Sequence, residues 1–348
     1  MRETRVPTAR SDSPRRDAPA WGLAELEALA SGYMRSRVFL TAVELGVFGQ
    51  LGDRPRTAAE IAPLLDVDAR ALDVLLDALC AMGLLDRSGE GVGAPEGLAE
   101  LLDPASPSYR GGAFAHLSRG WSLWSDLTEV VRSGCADPGQ WSAEARRDLA
   151  LAMQHHAREA AEKVARVIDC TGSNRMLDLG GGPGAFAIAF ARWHPALDIV
   201  LLDRDEVALE IAREGIAEAG LEGRIELGRA DFLDDDLRGD YDLVFLSAVL
   251  CLCGEEAGAG LIERVSGAVR QGGRVVIREF LLADDGIPSE SAALFAVNML
   301  VGTPEGRVHR ERDVRQWLER AGFEAVHRLP VAPLPLLVGT MTRGTTAG

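Results

Sequence analysis

The 348-residue chain has no apolar run approaching the roughly 18 to 20 residues a membrane-spanning helix requires. Its first residues, MRETRVPTARSDSPRRDAPA, lack the apolar core of a secretory leader, and their Arg, Pro and Ser content reads as a flexible tail over 1–20. Cysteine is sparse. Cys80, Cys135, Cys170, Cys251 and Cys253 are odd in number and scattered, which argues against a disulfide framework and for reduced thiols in the cytoplasm. Positive charge is short as well: 37 Lys and Arg face 53 Asp and Glu, and the net charge of -16 repels phosphate. Neither nucleic acid nor an anionic membrane is therefore an expected partner. What remains is globular: 47% hydrophobic and 26% charged residues suit packed cores, and the length suits two domains.

From Trp21 apolar residues recur at helical spacing through WGLAELEALASGYMRSRVFLTAVELGVFGQL. Thr57 then precedes Glu60 as in a capping box, Asp66 to Asp68 open a second helix, Gly83 stops it, and Gly89 to Gly93 read as a turn. Helix, turn, helix and hairpin make a winged-helix pattern, often a DNA reader. Here the second helix carries Asp68, Asp73 and Asp77 against the single Arg70, which would repel phosphate. The module, taken as residues 21–105, is read as a dimerisation or substrate-lid element. Residues 106–170, with Trp121, Trp124 and Trp141 among helical patterns, form a connector.

After Asn174 short apolar runs alternate with amphipathic helices, which predicts a mostly parallel, doubly wound α/β sheet over 171–348. In MLDLGGGPG, Asp178, Gly180, Gly182 and Gly184 lie between a strand and a helix starting near Ala185, where the backbone turns tightly and free amides face a ligand. Because Ala185 also completes G-x-G-x-x-G/A, a dinucleotide site competes. Three features favour S-adenosylmethionine (SAM). Asp178 would meet a cationic amino-acid moiety but repel a pyrophosphate; Asp203 ends the second strand, where both ribose hydroxyls are received; Asp231 and Phe232 end the third, supplying an acceptor for the adenine amine and an aromatic wall.

In these motifs, and in YDLVFLSAVL, GGRVVIREFLL, NMLVGTPEGR and the late AGF, the chain resembles the dimeric O-methyltransferases of plants and bacterial natural-product pathways, from about Trp21 to Thr342. The resemblance implies a Rossmann-like SAM methyltransferase domain behind an N-terminal, mainly helical, winged-helix-like dimerisation domain. It places Ser247 in the cofactor site with Gly180, Asp203, Asp231 and Phe232. It also implies an intertwined homodimer whose N-terminal domains help close the partner's pocket.

Two departures bear on the chemistry. The family's catalytic histidine follows the fourth strand, where SAVLCLCGEE has Cys251; a glutamate that orients it in the plant members is replaced by Val308, beside His309. A second family glutamate is retained as Glu279. A phenol acceptor needs its proton removed, whereas an enamine, ring carbon or keto acid need not use the same base, so O- and C-methylation both stand, with N-methylation beside them. Candidates for the missing base are His155 and His156, on a helix that by resemblance borders the substrate pocket together with Met153, and His309. Cys251, near a helix start where its pKa would fall, is a further candidate, although a thiolate beside a sulfonium methyl donor invites its own methylation; its plainer role is a small pocket wall. Trp121, Trp124, Phe295, Asn298 and Met299 are candidate substrate walls, the last two by family position. No metal site is expected: Cys251 and Cys253 are too close in sequence to make a pair unaided.

The expected function is methyl transfer from SAM to a small aromatic or keto-acid molecule. Its rivals are a methyltransferase-fold enzyme using bound SAM for hydroxylation, decarboxylation or cyclisation, a winged-helix regulator, and an NAD enzyme.

Overall fold

The computed structural model describes residues 21–342 except 53, 107, 138, 140, 238 and 285–288. The tail expected over 1–20 lies outside the described residues.

The N-terminal part comprises α1 (Leu23–Ser31), α2 (Tyr33–Glu44), α3 (Ala58–Leu65), α4 (Ala69–Ala81), strands β1 (Asp86–Ser88) and β2 (Gly91–Gly93), and α5 (Glu96–Leu102). Local chemistry sets these limits. The Glu60 amide donates to Thr57 Oγ1 while Glu60 Oε2 accepts the Thr57 amide at 2.8 Å, and Asp68 caps α4 through the Ala71 amide. Gly83 ends that helix at φ +75°, returning the Leu84 amide to the Leu79 carbonyl. β1 and β2 pair antiparallel, and Arg56 bridges to Val92. Ile61, Leu72, Leu76, Leu79, Phe48, Val92 and Leu102 share one apolar cluster. α1 stays outside it and buries nothing: Leu23, Leu26 and Leu29 are 73%, 51% and 67% exposed.

Helices α6 (Gly111–Ser125), α7 (Leu127–Ser133) and α8 (Ala143–Val167) follow. The 25-residue α8 starts at a Ser142 cap and is tied to α6 by Arg119–Asp148 at 2.6 Å.

The remaining chain alternates as expected: β3 (Arg175–Leu179), α9 (Ala185–Trp193), β4 (Asp198–Asp203), α10 (Glu206–Glu218), β5 (Ile225–Arg229), β6 (Tyr241–Ser247), α11 (Glu255–Ala268), β7 (Val269–Arg278), β8 (Leu281–Leu282), α12 (Glu290–Gly302), β9 (His309–Arg310), α13 (Glu311–Arg320), β10 (Phe323–Leu329) and β11 (Leu336–Met341). Seven strands form one sheet in the order β10-β11-β7-β6-β3-β4-β5. β5, β4, β3, β6 and β7 run parallel, and β11 and β10 add an antiparallel edge. From β3 the chain moves outward through β4 and β5 and then crosses to β6, so the order reverses beside β3, the position where open α/β sheets bind ligands. One face packs Met176, Ile199, Leu201, Phe245 and Val276 against residues of α8, α9 and α10; the other packs Leu177, Leu179, Leu246 and Ile277 with residues of α11 and α13.

Candidate active site

The parallel registers line up four residues at the carboxyl rim. Leu202 pairs with Leu179, Leu179 with Leu246, and Ser247 with Arg278. One residue further on, Asp203, Gly180, Ser247 and Arg278 therefore stand side by side across β4, β3, β6 and β7. Side chains alternate faces along a strand, so the Asp203, Ser247 and Arg278 side chains share the face of Leu201, Phe245 and Val276, toward α8, α9 and α10, and Asp178 lies one step below Gly180 on that face.

The glycine loop crosses above β3. Gly180 sits at φ +68°, and a Cβ there would meet Val249 Cγ2 at 2.7 Å. Gly181, which motif reading passed over, is packed tighter: its Cβ would meet Leu201 Cγ at 2.6 Å and Asp178 Oδ2 at 2.9 Å. Asp178 is 1% exposed and lies beneath the loop. Burial pushes its carboxyl up to about 7 against the pull of the Ala187 amide, and its Oδ2 is buried without a partner. Asp203 Oδ2 accepts the Gly182 amide at 2.8 Å and Oδ1 the Asp205 amide at 2.9 Å, so the carboxylate is aimed by backbone and keeps lone pairs for a ligand. Burial raises its pKa, and the same two amides oppose that rise.

Beyond β4 and β5 a cleft of about 570 Å³ is lined by Arg146, Arg204, Asp205, Arg229, Ala230, Asp231 and Asp235. Asp231 takes the Leu233 amide and faces Arg204 at 3.6 Å; Arg146 reaches Asp205 at 3.2 Å. Phe232 is 5% exposed and belongs to the cluster of Leu179, Leu246 and Val249, so it serves more as floor than as free wall. The orphaned Asp178 oxygen, the glycine cradle and the positioned Asp203 carboxylate fit a nucleoside cofactor with a cationic arm.

On the acceptor side the structure sorts the expected residues. Trp124 Nε1 donates to Asn298 Oδ1 at 3.1 Å, joining α6 to α12, and Phe295 stacks on Phe280 with ring centroids 3.7 Å apart. Met299, on α12 beside Asn298, is half-buried, and Met153 is exposed on α8. Trp121, three residues before Trp124, instead meets Tyr33 of α2 and lies under Arg37.

The base candidates separate too. Cys251 is 2% exposed, its amide donates to Glu279 Oε2 at 3.2 Å, and burial followed by the Glu279 charge pushes its thiol well up. The helix-start effect expected to lower that pKa is overridden. Glu279, 1% exposed, is itself pushed up to about 7 by burial while the Phe280 and Cys251 amides hold it down. His309 is 3% exposed, its Nε2 lies 3.0 Å from the Leu250 carbonyl and its ring packs edge-on to Trp317. His155 is half-buried, with burial and Arg110 lowering its pKa, while His156 is exposed. His116 lies near His156 and leaves a buried Nδ1 without a partner. Only the packing of α6 on α8 reveals it.

A family model for the O-methyltransferase dimerisation domain matches residues 27–102, and one for the O-methyltransferase domain matches residues 129–324. The chain is 32% identical to a 3-hydroxy-5-methyl-1-naphthoate 3-O-methyltransferase of Streptomyces sahachiroi over 88% of this chain and 91% of that protein. It is 28% identical to the N,N-dimethyltransferase OxyT of Streptomyces rimosus over 88% and 92%. The structure of PigF with S-adenosylhomocysteine (SAH) superposes with a TM-score of 0.86 at 26% identity, covering 92% of this chain and all of that one. With the rim geometry these matches are decisive: the chain belongs to the O-methyltransferase family and is a SAM-dependent methyltransferase with its own dimerisation domain.

Proposed function

We propose that the enzyme methylates a hydroxyl of a small aromatic natural-product intermediate. The observation that carries this reading is the pairing of the rim row, which suits a nucleoside, with the aromatic patch joined by the Trp124–Asn298 bond. SAM, when bound, supplies an electrophilic methyl group; the protein's part is alignment, exclusion of water and management of one proton. Asp203 receives the ribose hydroxyls, Asp231 the adenine amine, and Gly180, Gly182 and Gly184 shape the loop, with Phe232 and Ser247 beneath and beside it. Asp178 places negative charge under the cationic arm. Trp124, Phe295, Asn298, Met299 and Met153 border the acceptor. Cys251 is a neutral wall, since a buried thiol with a raised pKa is neither base nor nucleophile near neutrality. That favours acceptors whose hydroxyl is already acidic, such as a phenol conjugated to a carbonyl.

The domain reading follows: 21–105 for assembly, 106–170 for the acceptor side, 171–348 for the cofactor. A second copy covers the exposed apolar residues of α1, making a homodimer. The free cysteines suit a reducing cytoplasm, and no helix among the described residues is long and apolar enough to cross a membrane.

Incubation with methyl-labelled SAM and a panel of hydroxynaphthoates, other phenols, aromatic amines and keto acids, read by mass spectrometry and NMR, tests the acceptor. Label on oxygen of a phenol is expected. Label only on nitrogen or carbon would replace this reading with a second one, which the absence of a base at Cys251 and the likeness to an N,N-dimethyltransferase favour. SAH binding with no transfer to any acceptor would overturn both.

A further inference from the structure

Arg278, the last residue of β7, is 8% exposed, and burial lowers its pKa. Its Nη1 donates to Ser247 Oγ at 3.2 Å, and its Cζ lies 5.3 Å from the centre of the Phe186 ring, one residue into α9. Among the described residues it makes no direct ion pair: the adjacent buried Glu279 attracts it, but gives one oxygen to the Cys251 amide and the other to the Phe280 amide. A guanidinium carries five N–H donors and a charge that is costly to desolvate; a hydroxyl and a ring face offset little of that. Beyond that neighbour, whose oxygens are spent on backbone amides, the arrangement lacks an anion in direct contact.

Its place says which anion. Arg278 stands at the opposite end of the rim row from Asp203, with the glycine loop between them. By reaching Ser247 the guanidinium leans back over β6, about two strand spacings, or roughly 10 Å, from β4. A cofactor whose ribose sits at Asp203 and whose sulfur lies over the loop directs its amino-acid arm along this row, toward β6. We propose that Arg278 is the cationic receptor for the α-carboxylate of the cofactor's methionyl arm, so that the row reads both ends of the ligand: hydroxyls at Asp203 and carboxylate at Arg278. This rests on the cofactor site proposed above.

Calorimetry with SAH and with 5′-methylthioadenosine, which keeps the adenosine and sulfur but lacks the amino-acid arm, isolates the contact. Arg278→Met should weaken SAH binding about 10- to 100-fold, the loss of a charge-assisted pair, while leaving methylthioadenosine binding unchanged. Arg278→Lys should recover part of the loss. The ligand-free Met variant should melt no lower than the parent, because the guanidinium's desolvation outweighs its attraction to Glu279. Equal losses for the two ligands would make Arg278 merely structural and overturn the proposal. Unchanged SAH affinity with a raised acceptor KM would overturn it too, by moving the cation to the acceptor side. So would failure of both variants to fold, since the guanidinium would then be built into the ligand-free core. If the parent protein bound neither ligand, the cofactor site itself would fall first.

Discussion

Asp178→Asn should make the ligand-free enzyme more stable and a poorer SAM binder. Asp178 is buried on the sheet face beneath Gly181, with one oxygen on the Ala187 amide and Oδ2 unpartnered. Asparagine keeps the acceptor for Ala187, places a neutral amide where the orphan oxygen lies and removes the buried charge. The sign follows from the raised pKa. A carboxyl at about 7 in the folded protein, against 3.8 ordinarily, contributes stability that is full below about 4 and lost as pH rises through about 7. The parent therefore carries a penalty at pH 8 that it lacks at pH 4, on the order of 2 to 4 kcal/mol for a shift of this size. Urea unfolding of both proteins without ligand should give curves that nearly coincide at pH 4.5 and separate with rising pH, the variant being more stable by a few kcal/mol at pH 8. SAM affinity, measured by calorimetry at pH 8, should fall in the same variant, because the charge under the cationic arm is gone. A variant no more stable than the parent at pH 8, or a gap independent of pH, would refute the buried-charge argument.

Asp203→Ala should weaken SAH binding by about 1 to 3 kcal/mol, the worth of charged hydrogen bonds to the ribose; unchanged affinity in a folded variant would remove Asp203 from the site. Cys251→Ser and Cys251→Ala should leave turnover within about tenfold, whereas loss of a general base costs about 100- to 10,000-fold; a collapse of that size with SAH affinity intact would return Cys251 to the chemistry. The same assay on His155→Ala and His156→Ala shows whether either histidine has taken over the base. Light scattering at micromolar concentration should find a dimer, and Leu26→Arg together with Leu29→Arg should dissociate it; an active monomeric parent would defeat the assembly proposed through α1.

The sheet's carboxyl rim was legible in the sequence because its signals are local: the glycine loop, Asp203 and Asp231 each sit where a strand gives way to a turn, and strand ends can be read from apolar runs. What needs register or packing was not. Arg278 looks like any surface arginine until the pairing of β6 with β7 sets it beside Ser247. Trp121 and Trp124 are equal in sequence, and only the helices on either side of α6 send one to Tyr33 and the other to Asn298. His309 was offered by its place beside Val308, and only the pairing of β9 with β8 and the packing on Trp317 show that it is buried. At Cys251 the helix-start argument was sound as far as it went; burial against Glu279 outweighs it.

Helix α8 touches both halves of the reaction. At one end Arg119 of α6 holds its Asp148, and Arg146 holds Asp205, whose own amide binds the Asp203 carboxylate. Further along, Gln154 reaches the Pro183 carbonyl in the glycine loop at 3.5 Å. Those contacts fall within residues 146–154, about 12 Å of a 25-residue helix, so one short stretch joins the helix that carries Trp124 to Asp205 and the glycine loop. Interdependent binding of acceptor and cofactor is the expected consequence, and calorimetry of SAH with and without acceptor measures it. Any factor by which one tightens the other is returned in equal measure.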